Sequence, residues 1–428
     1  MRQWGLIAIV ALTILCRGAY VVPIRQAQLA NPIRGAEMEL AAISLVEKGE
    51  LGNVYCEPTG PTAHLSPLYA LLLAAVYAII GHDTFAALLA QSFLAIGAVA
   101  VGLACLPWLA RRIGLSEAAG WLAAYVLAIL PINYWYESFG DWEQPFAGLV
   151  LTAMLACFLA LRESAWTRPW LVVGVGVLSG LAALLCPYLL PAVALMGFAE
   201  FVSTPASRRR VIVAGAVIVT LTSIMVTPWT IRNFYALGGF VPLRSNVGFE
   251  LSFGNNEKSN GSSNIDWSEE VRHPHSNPTE CRRLKEIGEL AYMKEKQNEA
   301  IEWITANPER FAELIVTRFR IFWFPGLESF NNNSFLTRGK IAFFGSVSFF
   351  MFLTLVRMAW IRHPSFSLVF GAILGASSTY LLTHVEIRYR LPVHALSALL
   401  AADATIVALD WLRRRQANRQ RSSPADSK

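Results

Sequence analysis

Gly60-Pro61-Thr62-Ala63-His64-Leu65-Ser66-Pro67-Leu68-Tyr69, running on into an apolar stretch that ends at Ile80, decides how the chain is laid out. The run 63–80 sits at the short limit of what crosses a bilayer. Apolar runs of spanning length also occur at 4–24, 84–110, 117–136, 143–161, 170–186, 187–202, 211–230, 341–360, 365–383 and 390–411. If 63–80 does not cross, the cations all fall on one side: Arg2, Arg111 with Arg112, Arg162 with Arg168, Arg208 to Arg210, Arg357 with Arg362, and the tail Arg413, Arg414, Arg415, Arg419 and Arg421. By the positive-inside rule that side is the cytoplasm. If it does cross, every basic loop from Arg111 onward changes side and disagrees with the N-terminus. The expectation is therefore that 63–80 lies along, or dips into, the outer interface, with ten crossings and both termini cytoplasmic.

Composition agrees with a bilayer as solvent. Of 428 residues, 54% are hydrophobic and 15% charged, against about 25% charged in ordinary soluble domains. Mean hydropathy is +0.43. Disorder is excluded and a soluble enzyme disfavoured. The net charge of +6 could serve nucleic acid, but the cations sit in loops between apolar runs, where they orient the chain, so no nucleic-acid partner is expected. Of the six cysteines, Cys16, Cys105, Cys157 and Cys186 lie inside apolar runs, while Cys56 and Cys281 do not. None has CxxC spacing, and neither a zinc ribbon nor a disulfide framework is expected. The run Leu6 to Val22 lacks a small-x-small cleavage site and contains Arg17, so it reads as a retained first span. No internal repeat is visible, which argues against inverted-repeat transporters.

The fold class expected is an all-α polytopic membrane protein of about ten transmembrane helices with external amphipathic helices. The expected parts are a transmembrane module at 1–230 that includes the external loop 25–83, an external region at 231–340, C-terminal helices at 341–412 and a basic cytoplasmic tail at 413–428. Within the second external region a Gly/Asn/Ser stretch covers Gly254 to Asn264, and a helix is expected from about Thr279 to Thr305. Another opens at Asn307-Pro308-Glu309, with an apolar face of Phe311, Leu314, Ile315, Phe319, Phe322 and Trp323.

Polar residues facing the outer side need an explanation. After Pro32 a short amphipathic helix should run to a stop at Gly49, with Met38, Ala41, Ala42 and Leu45 on one face and Glu37 in its first turn. Glu37 either offsets the helix dipole or serves as a general base; Glu39, two residues on, points roughly opposite. His64 is either a wet interfacial residue or a ligand for a divalent cation or phosphate. In Tyr136-Glu137-Ser138-Phe139-Gly140-Asp141-Trp142-Glu143, the spacing Asp141-x-Glu143 imitates a paired-acid metal motif, although a solvated acidic turn is the better expectation. Arg388 and Arg390, in His384-Val385-Glu386-Ile387-Arg388-Tyr389-Arg390-Leu391-Pro392, either snorkel or bind phosphate as guanidinium forks. Arg17, inside a span, and Arg232 are further cations near the outer leaflet. No P-loop, Rossmann, HExxH or GxSxG motif occurs, so no nucleotide cofactor is expected and a donor would have to arrive by the membrane.

Taken in order, the first span, the external helix with its early acid, Gly60 to Tyr69, Pro228-Trp229-Thr230-Ile231-Arg232-Asn233, Phe240-Val241-Pro242-Leu243, Gly254-Asn255-Asn256 and Arg388-Tyr389-Arg390-Leu391-Pro392 resemble membrane glycosyltransferases of the GT-C class. The bacterial branch of family 39, related to protein O-mannosyltransferases and the lipid A aminoarabinose transferase, is the group resembled. The resemblance implies an inverting transfer of a sugar from a polyprenyl-phosphate carrier to a hydroxyl acceptor (protein, lipid or glycan) at the external face of the inner (plasma) membrane, amid membrane lipids. It implies Glu37, or Glu39, as catalytic base, where many relatives carry an Asp-Glu pair near the place of Arg34-Gly35. Arg388, Arg390, Arg17 and Arg232 would serve the donor phosphate, and a divalent metal ion would sit near His64, Asp141 and Glu143. The rival readings are a flippase of lipid-linked sugars and an inactive scaffold derived from such an enzyme.

Overall fold

The computed structural model describes residues 2–30, 37–56, 58–263, 273–330 and 333–422. Arg34-Gly35 and Asn264 lie outside them. Among the described residues the chain is all helical. After α1 (Arg2–Ala30) come the short α2 (Glu37–Lys48) and α3 (Pro67–Ile80). A bundle follows: α4 (Phe85–Ile113), α5 (Glu117–Ile129), α6 (Tyr134–Ser138), α7 (Gln144–Glu163), α8 (Pro169–Leu185), α9 (Leu190–Ser203) and α10 (Arg208–Leu237). The polar insertion forms α11 (Val247–Gly254), α12 (Pro278–Ile287), α13 (Glu289–Ala306) and α14 (Pro308–Trp323), and the chain ends with α15 (Phe335–Trp360), α16 (Phe366–Leu382) and α17 (Leu391–Ser422).

Among the described residues, six stretches are long and apolar enough to cross a membrane: Arg2–Leu29, Phe85–Ile113, Gln144–Glu163, Pro205–Leu237, Phe335–Trp360 and Ile387–Gln416. The other four expected spans coincide with the shorter apolar helices Glu117–Ile129, Pro169–Leu185, Pro187–Ser203 and Phe366–Leu382. Backbones approach closely where side chains vanish. A Cβ on Gly375 of α16 would lie 2.3 Å from Ala192 Cα of α9, and one on Gly120 of α5 would lie 2.4 Å from Pro107 Cα of α4.

The cation-bearing helix ends gather at one end of the bundle. Arg2 and Arg111 reach Glu117 at 2.9 and 3.5 Å, and Arg112 reaches Glu163 at 2.9 Å. Ser365 donates to Ile113 O at 2.7 Å, and Arg162 to Ser367 at 2.9 Å. Helix α3 belongs to the opposite end: Tyr77 bonds Gln91 in the first turns of α4 at 2.8 Å, and just past the C-terminus of α3 His82 lies 3.0 Å from Glu47 of α2.

Pro131 sets the local problem that Arg17 solves. Lacking an N–H, it cannot take the Leu127 carbonyl, and α5 stops at Ile129 rather than running on to 136. Arg17, buried in α1, donates instead to the carbonyls of Leu127 and Ala128, at 3.0 and 3.2 Å, and pairs with Glu137. The acidic turn expected to be solvated is therefore corrected: Glu137 and Glu143 are buried, because the turn folds inward onto cations. A second correction concerns 279–305, which is two helices rather than one. Gly288, at φ +79°, breaks it between α12 and α13.

Replacing Arg17 by Ala strips Glu137 of its guanidinium partner and the Leu127 carbonyl of its side-chain donor, and should destabilise the fold by about 3–5 kcal/mol. Arg17→Met with Glu137→Gln should cost clearly less. Thermal unfolding of the detergent-solubilised protein reads both.

Candidate functional site

The loop 49–66 is shaped by its glycines. Gly49 ends α2 at φ +70°, and Gly52 lies so close to Gly60 that a Cβ on it would meet the Gly60 carbonyl oxygen at 2.1 Å. Asn53 N–H donates to Gly60 O at 3.0 Å, and Thr62 N–H to Leu51 O at 3.1 Å. This closed turn delivers His64, which is 2% exposed, to the first residue of α2. A second segment arrives from ahead of α12, where Asn277 caps the helix by accepting from Thr279 N–H at 2.8 Å, and the turn before it carries His273 and His275.

Two ties hold these segments together. His275 Nδ1 lies 3.0 Å from Tyr55 O, and Cys56 forms a disulfide with Cys281 across 6.4 Å between Cα atoms. The expectation of no disulfide is corrected. The partners lie 225 residues apart in two polar segments that only the fold unites, which no spacing rule could reveal.

The result is a cluster. Glu37 Oε1 lies 3.3 Å from His64 Nε2 and 3.0 Å from His273 Nε2, and the three ligating atoms are all within 4.8 Å of one another. Tyr55 and Phe249 pack their rings on His64 and His273 at 4.9 and 5.0 Å. Burial alone would raise the Glu37 carboxyl, but His64 and His273 override it and hold Glu37 well below the usual carboxylate range. The cluster fits a small divalent cation. Two imidazoles and one carboxylate are a zinc donor set with one position open, and ligand atoms about 2.0–2.1 Å from such an ion are about 3.3 Å apart. His64 Nδ1 is buried without a hydrogen-bond partner among the described residues, and Nε2 is the atom turned to Glu37.

Glu37, His64 and His273 line a cavity of about 590 Å³ that is also lined by Arg388, Glu386, His384 and Lys340. Arg388 lies 2.7 Å from Glu386 and 3.6 Å over the Trp142 ring. His384 is pushed down to about 4, chiefly by burial, with Glu250 pulling it up and Arg388 pushing further down.

Of the residues singled out from sequence, Glu37, His64 and Arg388 thus meet in one cavity. The others stand elsewhere. Glu39 accepts from Gln91 at 2.8 Å. Asp141 pairs with Arg25 at 2.8 Å, away from the Glu37–His64–His273 cluster, and Glu143 is buried. Arg17 is engaged as above. Arg232 holds the carbonyls of Thr62 and Leu51, both at 2.7 Å. Arg390 is buried against Phe344 and donates to Ser348 at 2.9 Å. Sequence reading passed over His273 and Lys340. The pair His273-Pro274-His275 directly before an Asn-Pro helix start was the available signal for the first.

No family model matches the sequence, and no curated protein is significantly similar to it. Solved structures are similar in fold. The archaeal oligosaccharyltransferase AglB from Archaeoglobus fulgidus, in complex with an inhibitory peptide and a dolichol-phosphate, matches 100% of this chain and 52% of its own, with a TM-score of 0.55 and 14% identity. The Archaeoglobus fulgidus oligosaccharyltransferase complexed with Zn and sulfate gives 0.54 and 15%, over 96% of this chain and 50% of that one. Its apo form gives 0.57 and 14%, over 100% and 52%. The chain spans about half the length of these proteins. The transmembrane fold is GT-C-like.

Because His384 is neutral in the fold but titrates near 6.5 when unfolded, the unfolded chain binds the extra proton between pH 6.5 and 4. Its contribution to stability should be complete above that window and fall by about 1.4 kcal/mol per unit as pH drops through it. His384→Gln should flatten this part of the curve, as unfolding at pH 7 and pH 5 will tell. Separately, reducing Cys56–Cys281 should speed amide exchange around Tyr55 and His275 without altering exchange in α4 or α7.

Proposed function

We propose that the chain is an inverting glycosyltransferase that moves a sugar from a polyprenyl-phosphate carrier to a hydroxyl acceptor at the outer face of the membrane. One observation carries the reading: a carboxylate–imidazole cluster able to hold a metal and a partly buried guanidinium share a single cavity, within a GT-C-like fold. The gathering of basic helix ends at the opposite end supports a cytoplasmic assignment for that end and for both termini. The disulfide between 25–83 and 231–340 supports an oxidising compartment for the cavity. The sequence likeness to family 39 supports that branch. Dolichol-phosphate in one similar structure and zinc in another agree with the carrier and with a divalent ion.

The chemistry divides between the walls. A bound divalent cation would be held by Glu37, His64 and His273 and would supply charge neutralisation for the departing phosphate. Arg388 supplies a fixed cation on the other side, its fork oriented by Glu386 and its face covered by Trp142. Both histidine contacts fall on Glu37 Oε1, leaving Oε2 to take the acceptor's proton. Its low pKa keeps the carboxylate ionised and ready, at some cost in proton affinity.

Incubation with radiolabelled polyprenyl-phosphate sugars and a hydroxyl acceptor panel tests this. Transfer from one donor is expected, and Glu37→Gln should slow it by about 10²–10⁴-fold while the protein still inserts and keeps its disulfide. Undiminished transfer by the variant would move the base elsewhere. Scrambling of the lipid-linked sugar in acceptor-free proteoliposomes, with no transfer, would replace the enzyme by a flippase.

A further inference from the structure

We propose that Glu289 is the positioning residue of the Glu37–His64–His273 cluster and sets its affinity for a divalent cation. The proposal rests on the metal reading given above. Glu289 opens α13, where an acid ordinarily serves only the helix dipole. Here the described bonds of its carboxylate go to other segments. Oε1 accepts from Ala63 N–H at 2.9 Å and from the Ser245 hydroxyl at 2.6 Å, and Oε2 accepts from the Thr62 hydroxyl. Thr62 Oγ1 in turn accepts the His64 N–H at 2.9 Å. A relay of hydrogen bonds therefore runs from Glu289 through Thr62 to the backbone of the ligating histidine.

The remaining backbone groups of this dipeptide are held as well. Ala63 O accepts from Ser245 N–H at 2.9 Å, and His64 O accepts from Arg244 at 2.8 Å. Because His64 Nδ1 has no hydrogen-bond partner among the described residues, no bond from them at the far ring nitrogen fixes the orientation of the imidazole. The usual device for a ligating histidine is such a bond. In its place the backbone is clamped, and Glu289 is the charged end of the clamp. It is also a point where the 25–83 segment, which carries Glu37 and His64, is fastened to α13, the second helix after the His273 segment.

The full-length chain in nanodiscs, titrated with Zn²⁺ against a chromophoric chelator, decides the matter. Glu289→Gln should weaken Zn²⁺ binding ~10–100-fold, with the thermal midpoint of the metal-free protein unchanged and amide exchange at Ala63 and His64 faster. Thr62→Val, which keeps the shape and removes the hydroxyl, should weaken binding too, whereas Thr62→Ser should restore it. The double variant Glu289→Gln/Thr62→Val should lose little more than Glu289→Gln alone, since both cut one relay. If Glu289→Gln does not fold, the Thr62 pair carries the test. Wild-type and Thr62→Val protein binding Zn²⁺ equally would overturn the role of Glu289 and leave the metal reading standing. Wild-type protein that binds no Zn²⁺ would overturn both.

Discussion

A carboxylate clasped between two imidazoles joins the chain segments around the cavity. Glu37 contributes one oxygen, and His64 and His273 come to it from segments far apart in the chain. Each of the three would be an ordinary surface residue alone. Together they need burial, rings packed on both histidines and a tied backbone, and the loop glycines, the disulfide and the hydrogen bonds to Tyr55 supply these. The polar insertion is therefore part of the site's construction, because it brings one of the three groups.

Charge is handled in opposite ways at the two ends of the bundle. At one end, partly exposed Arg–Glu pairs staple helix termini, each worth little by itself. At the other, cations are buried and bonded to protein oxygens: Arg17 to Glu137 and two carbonyls, Arg318 to Asn255 and to backbone oxygens of Gly254, Leu381 and Leu382, Arg390 to Ser348 beside an aromatic ring. A buried guanidinium so engaged braces broken backbone. Arg388 differs because its partner carboxylate also faces the cavity.

The layout of helices was legible because apolar runs and basic loops obey strong, local rules. Glu37 and Arg388, both singled out from sequence, line one cavity. What sequence could not convey was which cation serves structure. Arg17, Arg232 and Arg390 share with Arg388 a sequence setting at or near the end of an apolar run, and only tertiary contacts separate a guanidinium that mends carbonyls from one that faces open space. The disulfide escaped for the same reason: its halves carry no spacing signature, and only the proximity created by the two long segments defines it.

That crosslink also has a meaning for biogenesis. Cys56 leaves the ribosome early, and its partner follows 225 residues later, about 10–45 s at ordinary translation speeds. Until then the first thiol has no mate, and no part of the chain short of Cys281 can supply the correct one. Closure of the bond is thus a covalent certificate that helices α4 through α10 have already been threaded past it, and a nascent chain arrested earlier would be marked by a lone reduced sulfur.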